Sequence, residues 1–204
     1  LAMTPHGRYR IAADRPGFGE SVDQEPVTTL EGQAAAIAPL LGHGAIVVGY
    51  SYGGPIALRL AIDYPERVAA LVLVGSAGDP AREETHPLQE LAALPFFSLL
   101  LPAELANANA ELLALPAELQ ALEPGIGRIT APVTIVHGMR DSLVPPENVD
   151  YISARLSPAL SVRVILVEQG DHFLPWTHAE LVEEAIGCAV GDAAVQLPEA
   201  SPSR

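Results

Sequence analysis

Residues 47–61 read VVGYSYGGPIALRLA and place one serine, Ser51, between two glycines. The residues before the serine are apolar and β-branched, which is typical of a strand, and those after it are typical of a helix. A strand that turns at once into a helix forces its central residue towards positive φ and requires small neighbours. This context predicts Ser51 as an exposed nucleophile, and a purely structural glycine–serine turn is the alternative.

The amino-acid composition excludes several classes of protein. Hydrophobic residues make up 49% of the 204-residue chain, which is enough for a sizeable core, and the length fits one domain. We expect no membrane span, because no apolar run reaches the roughly 18–20 residues that one requires. The single cysteine, Cys188, allows no internal disulfide, which favours a cytoplasmic location. A net charge of -14, with no lysine, argues against nucleic acid as a partner.

Short apolar runs alternate with longer helical runs along most of the chain. This alternation predicts an α/β fold, a doubly wound and mostly parallel sheet of about five strands flanked by helices. Strands are predicted at Tyr9–Ala13, Ala45–Tyr50, Val68–Gly75, Val133–His137 and Val162–Val167. Helices are predicted at Thr28–Leu41, Tyr52–Tyr64, Glu147–Leu156 and His178–Val190.

Residues 79–128 break the alternation, since they are rich in Leu, Ala, Glu and Pro and carry no strand signal. We predict two or three short helices there, broken near Pro95, Pro102 and Pro116. The segment is interpreted as a helical lid over the carboxyl edge of the sheet, with an ordinary helical crossover as the alternative. Residues 1–78 and 129–196 then form the core, and residues 197–204 form a mobile tail.

A nucleophilic serine requires a base, and the base requires an orienting carboxylate. His172 lies in the loop after the last predicted strand, and Asp141 follows the strand Val133–His137. Both residues fall at carboxyl ends of strands, as Ser51 does, so the sequence predicts them as base and acid, with Asp79 as a reserve acid. The N–H of Tyr52, at the start of the next helix, is the predicted donor to an oxyanion.

Four stretches together resemble the α/β-hydrolase superfamily. They are DRPGFGES (14–21), VVGYSYGG (47–54), HGMRDSLVP (137–145) and GDHFLPW (170–176). The resemblance implies Ser51 as nucleophile, His172 as general base and acid, and Asp141 as orienting carboxylate. It implies hydrolysis of carboxylic esters through an acyl-enzyme, with C–C bond hydrolysis or cofactor-free perhydrolase activity as alternatives. The sequence contains no metal-ligand cluster, P-loop or dinucleotide motif, so we expect no cofactor and no metal.

The sequence departs from the family at its start. Members usually have three strands before the one that carries D-x-x-G-x-G, whereas here that strand begins near residue 9. The loop that usually supplies the second oxyanion donor is missing, because His6-Gly7 lies too close to Asp14 to be that loop. We therefore expect a truncated α/β-hydrolase fold in which Ala45–Tyr50 is an edge strand that favours self-association. The chain is then an incomplete hydrolase, a minimal hydrolase or a non-catalytic binding module.

Apolar residues near the site suggest a small, apolar ester as substrate. The segment LPFFSLLLP (94–102) is strongly apolar, and aromatic residues flank Ser51 and His172. The predicted pocket residues are Tyr50, Phe96, Phe97, Phe173 and Trp176. Packing of these side chains into the core is the alternative.

Overall fold

Alternating strands and helices run through the chain in the computed structural model, which describes residues 2–3, 9–83, 87–94, 101–156 and 161–196. The strands are β1 (Ala2–Met3), β2 (Tyr9–Arg10), β3 (Ala45–Tyr50), β4 (Val68–Val74), β5 (Val133–Gly138) and β6 (Val162–Val167). The α-helices are α1 (Leu30–Ile37), α2 (Gly53–Asp63), α3 (Pro87–Ala93), α4 (Ala103–Ile126), α5 (Glu147–Arg155), α6 (Leu174–Thr177) and α7 (Ala179–Gln196). Short 3-10 helices lie at Gly19–Ser21, Ala38–Leu40 and Pro80–Arg82.

Strands β3 to β6 form a parallel sheet in the order β3-β4-β5-β6. Their bounds agree with four of the predicted strands to within one residue, and the α/β fold class is confirmed. Because all four strands run in one direction, the loops that follow them meet at a single edge of the sheet.

The predicted strand Tyr9–Ala13 is wrong as a member of this sheet. Only Tyr9–Arg10 is extended and paired, and it pairs antiparallel with β1 in a separate two-stranded sheet. Ile11 is 54% exposed, so the apolar run that suggested a buried strand does not enter the core. A strand is stabilised by its neighbours, and Tyr9–Arg10 takes β1 as its neighbour instead of the outer edge of β3.

Two apolar clusters cover the two faces of the sheet. Along β4, Leu71 and Leu73 point to the face packed by α1, α2, α4 and α5. Val72 and Val74 point to the opposite face, which is packed by α6 and α7. Alternate residues of a strand face opposite sides, so a strand buried on both faces reads as the continuous apolar run seen in the sequence.

Helix α4 is longer than the sequence predicts. It continues through Pro116 and Pro124, so the predicted break near Pro116 is wrong. A proline inside a helix removes one backbone hydrogen bond, which costs about 3 kcal/mol in an isolated helix. Here the apolar side chains of Leu115, Leu119 and Leu122 are buried against the core, and tertiary packing offsets that cost. Residues 95–100 lie outside the described residues.

Polar side chains of α4 anchor it to the loop after β2 and to the start of α1. Asn107 donates to the carbonyl of Gly17 at 2.9 Å, and Glu118 accepts from the N–H of Leu30 at 2.7 Å. Glu111, only 3% exposed, pairs with Arg15 and accepts a hydrogen bond from Gln33 at 2.6 Å. This part of residues 79–128 is therefore held against the core, and the division into core and lid stays a prediction.

Within the described chain, β3 pairs with β4 alone, so Ala45–Tyr50 is an edge strand, as the sequence predicts. Val48 on this strand is 45% exposed. Self-association through the edge stays a prediction. None of the helices described by the structure combines the length and apolarity that a membrane crossing requires.

Candidate active site

The turn between β3 and α2 holds Ser51 in a left-handed conformation. Its φ is 52°, and it is the single non-glycine residue of the described chain with positive φ. The N–H of Ser51 donates to the carbonyl of Val74 at 3.0 Å, and its own carbonyl accepts from the N–H of Gly54 at 3.0 Å. The sharp turn that the sequence predicted is thus present, and it places the hydroxyl of Ser51 at the carboxyl edge of the sheet.

Three side chains from distant parts of the sequence form one hydrogen-bond chain. His172 Nδ1 lies 2.7 Å from Asp141 Oδ2, and His172 Nε2 lies 3.0 Å from Ser51 Oγ. A carboxylate only accepts, so Nδ1 carries the proton and Nε2 is left to accept from the hydroxyl of Ser51. His172 and Asp141 are 7% and 4% exposed, so little water can compete for the hydrogen bond between them.

The loop after β5 fixes the carboxylate of Asp141. Its Oδ1 accepts from the N–H groups of Leu143 and Val144, at 3.0 and 2.8 Å, which leaves Oδ2 for His172. The reserve acid, Asp79, is engaged elsewhere: its carboxylate caps the 3-10 helix by accepting from the N–H of Ala81 at 2.9 Å. The structure therefore brings Asp141, and not Asp79, to His172.

His137 supports the same loop, although the sequence pattern predicted no role for it. It is fully buried, and its Nε2 donates to the carbonyl of Val144 at 2.9 Å. Nδ1 has no hydrogen-bond partner among the described residues. Its spacing of four residues before Asp141, at the end of a strand, is the signal that could have identified it. We interpret His137 as a brace for the loop that carries Asp141.

The N–H of Tyr52 is the candidate oxyanion donor. Tyr52 directly follows Ser51 at the start of α2, and among the described residues no hydrogen bond engages this N–H. The side chain of Tyr52 lies under the guanidinium of Arg15, 5.0 Å from the ring centre. Burial, reinforced by Glu111, raises the pKa of its hydroxyl. His6 and Gly7 lie outside the described residues, so their lack of an oxyanion role stays a prediction.

A cleft of about 360 Å³ opens beside Ser51. Ser51, Tyr52 and His172 form its reactive end, and its remaining lining residues are mostly apolar: Ala77, Leu112, Leu115, Pro116, Leu143 and Val144, with Glu83 and Gln89 as polar members. Five of these residues come from the 79–128 segment, so that segment walls the cleft. A second cleft, of about 380 Å³, lies between α1, α2 and α4, and Ser51, Asp141 and His172 take no part in it.

The predicted aromatic pocket residues have a different position. Tyr50, Phe173 and Trp176 do not line the cleft. Tyr50 donates through its hydroxyl to the carbonyl of His172 at 3.1 Å, and its ring packs against those of His172 and Trp176 at 5.1 and 5.5 Å. Phe173 and Trp176 are 51% and 69% exposed. These rings support the loop of His172, whereas Phe96 and Phe97 lie outside the described residues.

Glu83 is a titratable group of the cleft that the sequence analysis did not single out. Burial, and then the negative charge of Asp79, raise the pKa of its carboxyl. Elsewhere in the site, no group of three or more His, Cys, Asp or Glu residues in the described part of the chain is arranged to hold a metal ion.

Comparison with known proteins agrees with this fold. A family model described as alpha/beta hydrolase fold matches residues 5–113, just over half of the chain. The protein therefore belongs to the α/β hydrolase family.

Individual relatives include esterases. The chain is 26% identical over 221 residues to a pimeloyl-[acyl-carrier protein] methyl ester esterase of Aeromonas hydrophila, spanning 88% of this chain and 86% of the relative. The fold is similar to that of a thermophilic esterase from Thermogutta terrifontis, with a TM-score of 0.61, 22% identity and coverage of 88% and 78%. It is also similar to a meta-cleavage product hydrolase from Pseudomonas fluorescens IP01, with a TM-score of 0.58, 19% identity and the same coverage. These structures share the fold, and their different names mean that the fold alone does not decide the reaction.

Proposed function

We propose that the protein is a serine hydrolase that cleaves carboxylic esters of small substrates through an acyl-enzyme at Ser51. The hydrogen-bond chain from Asp141 through His172 to Ser51 is the observation that supports this most strongly. Both of its bonds have the length that proton transfer requires before any substrate is bound. The left-handed φ of Ser51 adds support, because a strained backbone of this kind is retained where the surrounding structure enforces it.

The proposed reaction proceeds in two halves. Ser51 Oγ attacks the ester carbonyl carbon while its proton passes to His172 Nε2, and the resulting imidazolium is stabilised by Asp141. The N–H of Tyr52 donates to the oxyanion. His172 then returns the proton to the departing alcohol, which leaves the acyl group on Ser51. Water, deprotonated by His172, attacks the acyl carbon, the bond to Ser51 Oγ breaks as His172 returns the proton to Oγ, and the acid is released.

The lining of the cleft supports a small substrate with an apolar part. Leu112, Leu115 and Val144 present aliphatic surface to the space beside Ser51. The relatives named as methyl ester esterases support ester cleavage as the reaction. Residues 79–128 are assigned the role of a lid, with α4 as its fixed wall.

Labelling with a fluorophosphonate probe, together with hydrolysis of p-nitrophenyl butyrate, tests the proposal. The wild-type protein is expected to be labelled and to hydrolyse the ester, and Ser51→Ala is expected to do neither. Ser153→Ala is the matched control, because Ser153 lies on α5 with a buried hydroxyl that has no partner among the described residues. Equal hydrolysis by wild type and Ser51→Ala would contradict the proposal, and an unlabelled but folded wild type would favour a binding module.

The assay needs protein concentrations at which Ser51-dependent turnover exceeds spontaneous hydrolysis of the ester.

A further inference from the structure

Among the described residues that line the cleft beside Ser51, one is an acid that the proposed mechanism does not use. Glu83 follows the 3-10 helix Pro80–Arg82 and shares the cleft with Ser51 and His172. The described residues that line this cleft include no arginine. Among the described lining residues, Glu83 is therefore the one with an acidic side chain.

The neighbouring cation does not neutralise Glu83. Arg82 is directed towards two other acids, with its Nε 4.0 Å from Asp79 and its Nη1 3.6 Å from Glu147. Among the described residues, no ion pair or hydrogen bond engages the carboxylate of Glu83. A partly buried carboxylate without a partner is costly, as the raised pKa of Glu83 indicates. The carboxyl group of Glu83 is thus left to interact with whatever occupies the cleft.

We infer that Glu83 sets the charge preference of the cleft, so that the enzyme takes neutral or cationic esters and discriminates against esters that carry a free carboxylate. This inference rests on the proposed ester hydrolysis at Ser51 and refines its substrate class. The reason is electrostatic, because a like charge in a cleft with apolar walls is screened less than at an open surface. Specificity of this kind works by repelling the wrong substrate as well as by attracting the right one.

Three p-nitrophenyl esters of matched length test the inference. They are the neutral pentanoate ester, the monoester of glutaric acid, which adds a carboxylate, and a pentanoate ester with a terminal trimethylammonio group, which adds a fixed cation. For each ester, kcat/KM is measured at neutral pH and low ionic strength for wild type, Glu83→Gln and Glu83→Lys. Glu90→Gln is the matched control, because Glu90 is an exposed acid of α3 in the same segment and does not line the cleft.

Glu83→Gln is expected to raise kcat/KM for the glutaric monoester about tenfold relative to pentanoate, and to lower it about tenfold for the cationic ester. Glu83→Lys should invert the preference, and Glu90→Gln should leave all ratios at the wild-type value. Added salt should weaken the wild-type preference.

Unchanged ratios in both Glu83 variants, with Ser51-dependent hydrolysis of pentanoate intact, would overturn the inference and leave the proposed function standing. Absence of Ser51-dependent hydrolysis of all three esters would contradict the proposed function, and the inference with it. Melting curves of each variant establish that the compared proteins are folded.

Discussion

The Oδ2 atom of Asp141 lies 2.7 Å from Nδ1 of His172, although 31 positions separate the two residues in the sequence. The other oxygen of the same carboxylate is held by two backbone N–H groups of the loop after β5. The carboxylate is therefore held in position by its own loop, independently of its contact with the histidine. Because Oδ2 accepts a hydrogen bond from the protonated Nδ1, Nε2 of His172 is free to accept from the hydroxyl of Ser51.

Asp141→Asn is expected to lower kcat by roughly 10³–10⁴, with the fold retained. The amide oxygen can still accept from Leu143 and Val144, but its NH₂ group then faces Nδ1 and favours the wrong tautomer of His172. Steady-state kinetics on p-nitrophenyl butyrate measure the loss. Asp79→Asn is the control, and comparable losses in both variants would contradict the assignment of Asp141 as the orienting acid.

The two glycines of the GYSYG turn are expected to differ in tolerance. A Cβ atom on Gly49 would lie 2.4 Å from the carbonyl oxygen of Gly53, whereas a Cβ on Gly53 would meet nothing within 4 Å. Gly49→Ala should therefore lower the melting temperature by several degrees and reduce activity. Gly53→Ala should keep both near wild type, since alanine is also the better helix former. Equal effects of the two substitutions on melting temperature would contradict this distinction.

Arg15→Met is expected to destabilise the protein by about 3 kcal/mol, because it leaves the buried carboxylate of Glu111 without its cation. Arg59→Met is the matched control: the two arginine side chains are 24% and 23% exposed, but Arg59 pairs with more exposed acids. Its loss should cost about 0–1 kcal/mol. Urea unfolding at constant m-value measures both, and a difference below about 1 kcal/mol would contradict the importance of the Glu111 pair.

The stability gained by Glu83→Gln is expected to depend on pH. The pKa of Glu83 is raised in the folded state, so the folded protein holds the proton more tightly than the unfolded chain does. The contribution of this group is fully present below its unfolded pKa and is lost as pH rises through its folded pKa. Glu83→Gln should therefore raise the melting temperature at pH 7, and the gain should vanish below about pH 4. A constant gain across this range would contradict the shift.

Association through β3 is expected to respond to charge on its exposed side chain. Val48→Glu should reduce any concentration-dependent association in sedimentation velocity, because a charge on an edge strand disfavours pairing with another chain. Val22→Glu is the control, since Val22 lies outside the sheet at 44% exposure, close to the 45% of Val48. An equal reduction of association in both variants would show that net charge, and not the edge strand β3, causes the effect.

Local sequence was sufficient to predict those elements whose structure depends mainly on residues nearby in the chain. The bounds of Ala45–Tyr50 and Val162–Val167 were predicted without error, because both are apolar β-branched runs with clear ends. The positive φ of Ser51 also followed from local sterics, since a strand that joins a helix in so few residues leaves little alternative.

Other predictions failed where a distant part of the chain decides the outcome. Tyr9–Ala13 has the composition of a strand but lacks a partner in the main sheet, and Pro116 lies in a continuous helix because packing outweighs its local cost. The residues that line the cleft could not be predicted from local sequence either. Glu83, for example, lies in a segment with no strand signal and shares the cleft with Ser51 and His172 only in the folded structure.

The sequence by itself determined the α/β class and the resemblance to the hydrolases, and it singled out Ser51, Asp141 and His172 as candidates. These depend on periodicity, turn sterics and motif spacing, which are properties of short stretches. Only the tertiary structure decided which acid contacts His172, which aromatic rings stay outside the cleft, and which carboxylate enters it. Those contacts join residues far apart in the chain, and their geometry depends on how the sheet brings the loops together at one edge.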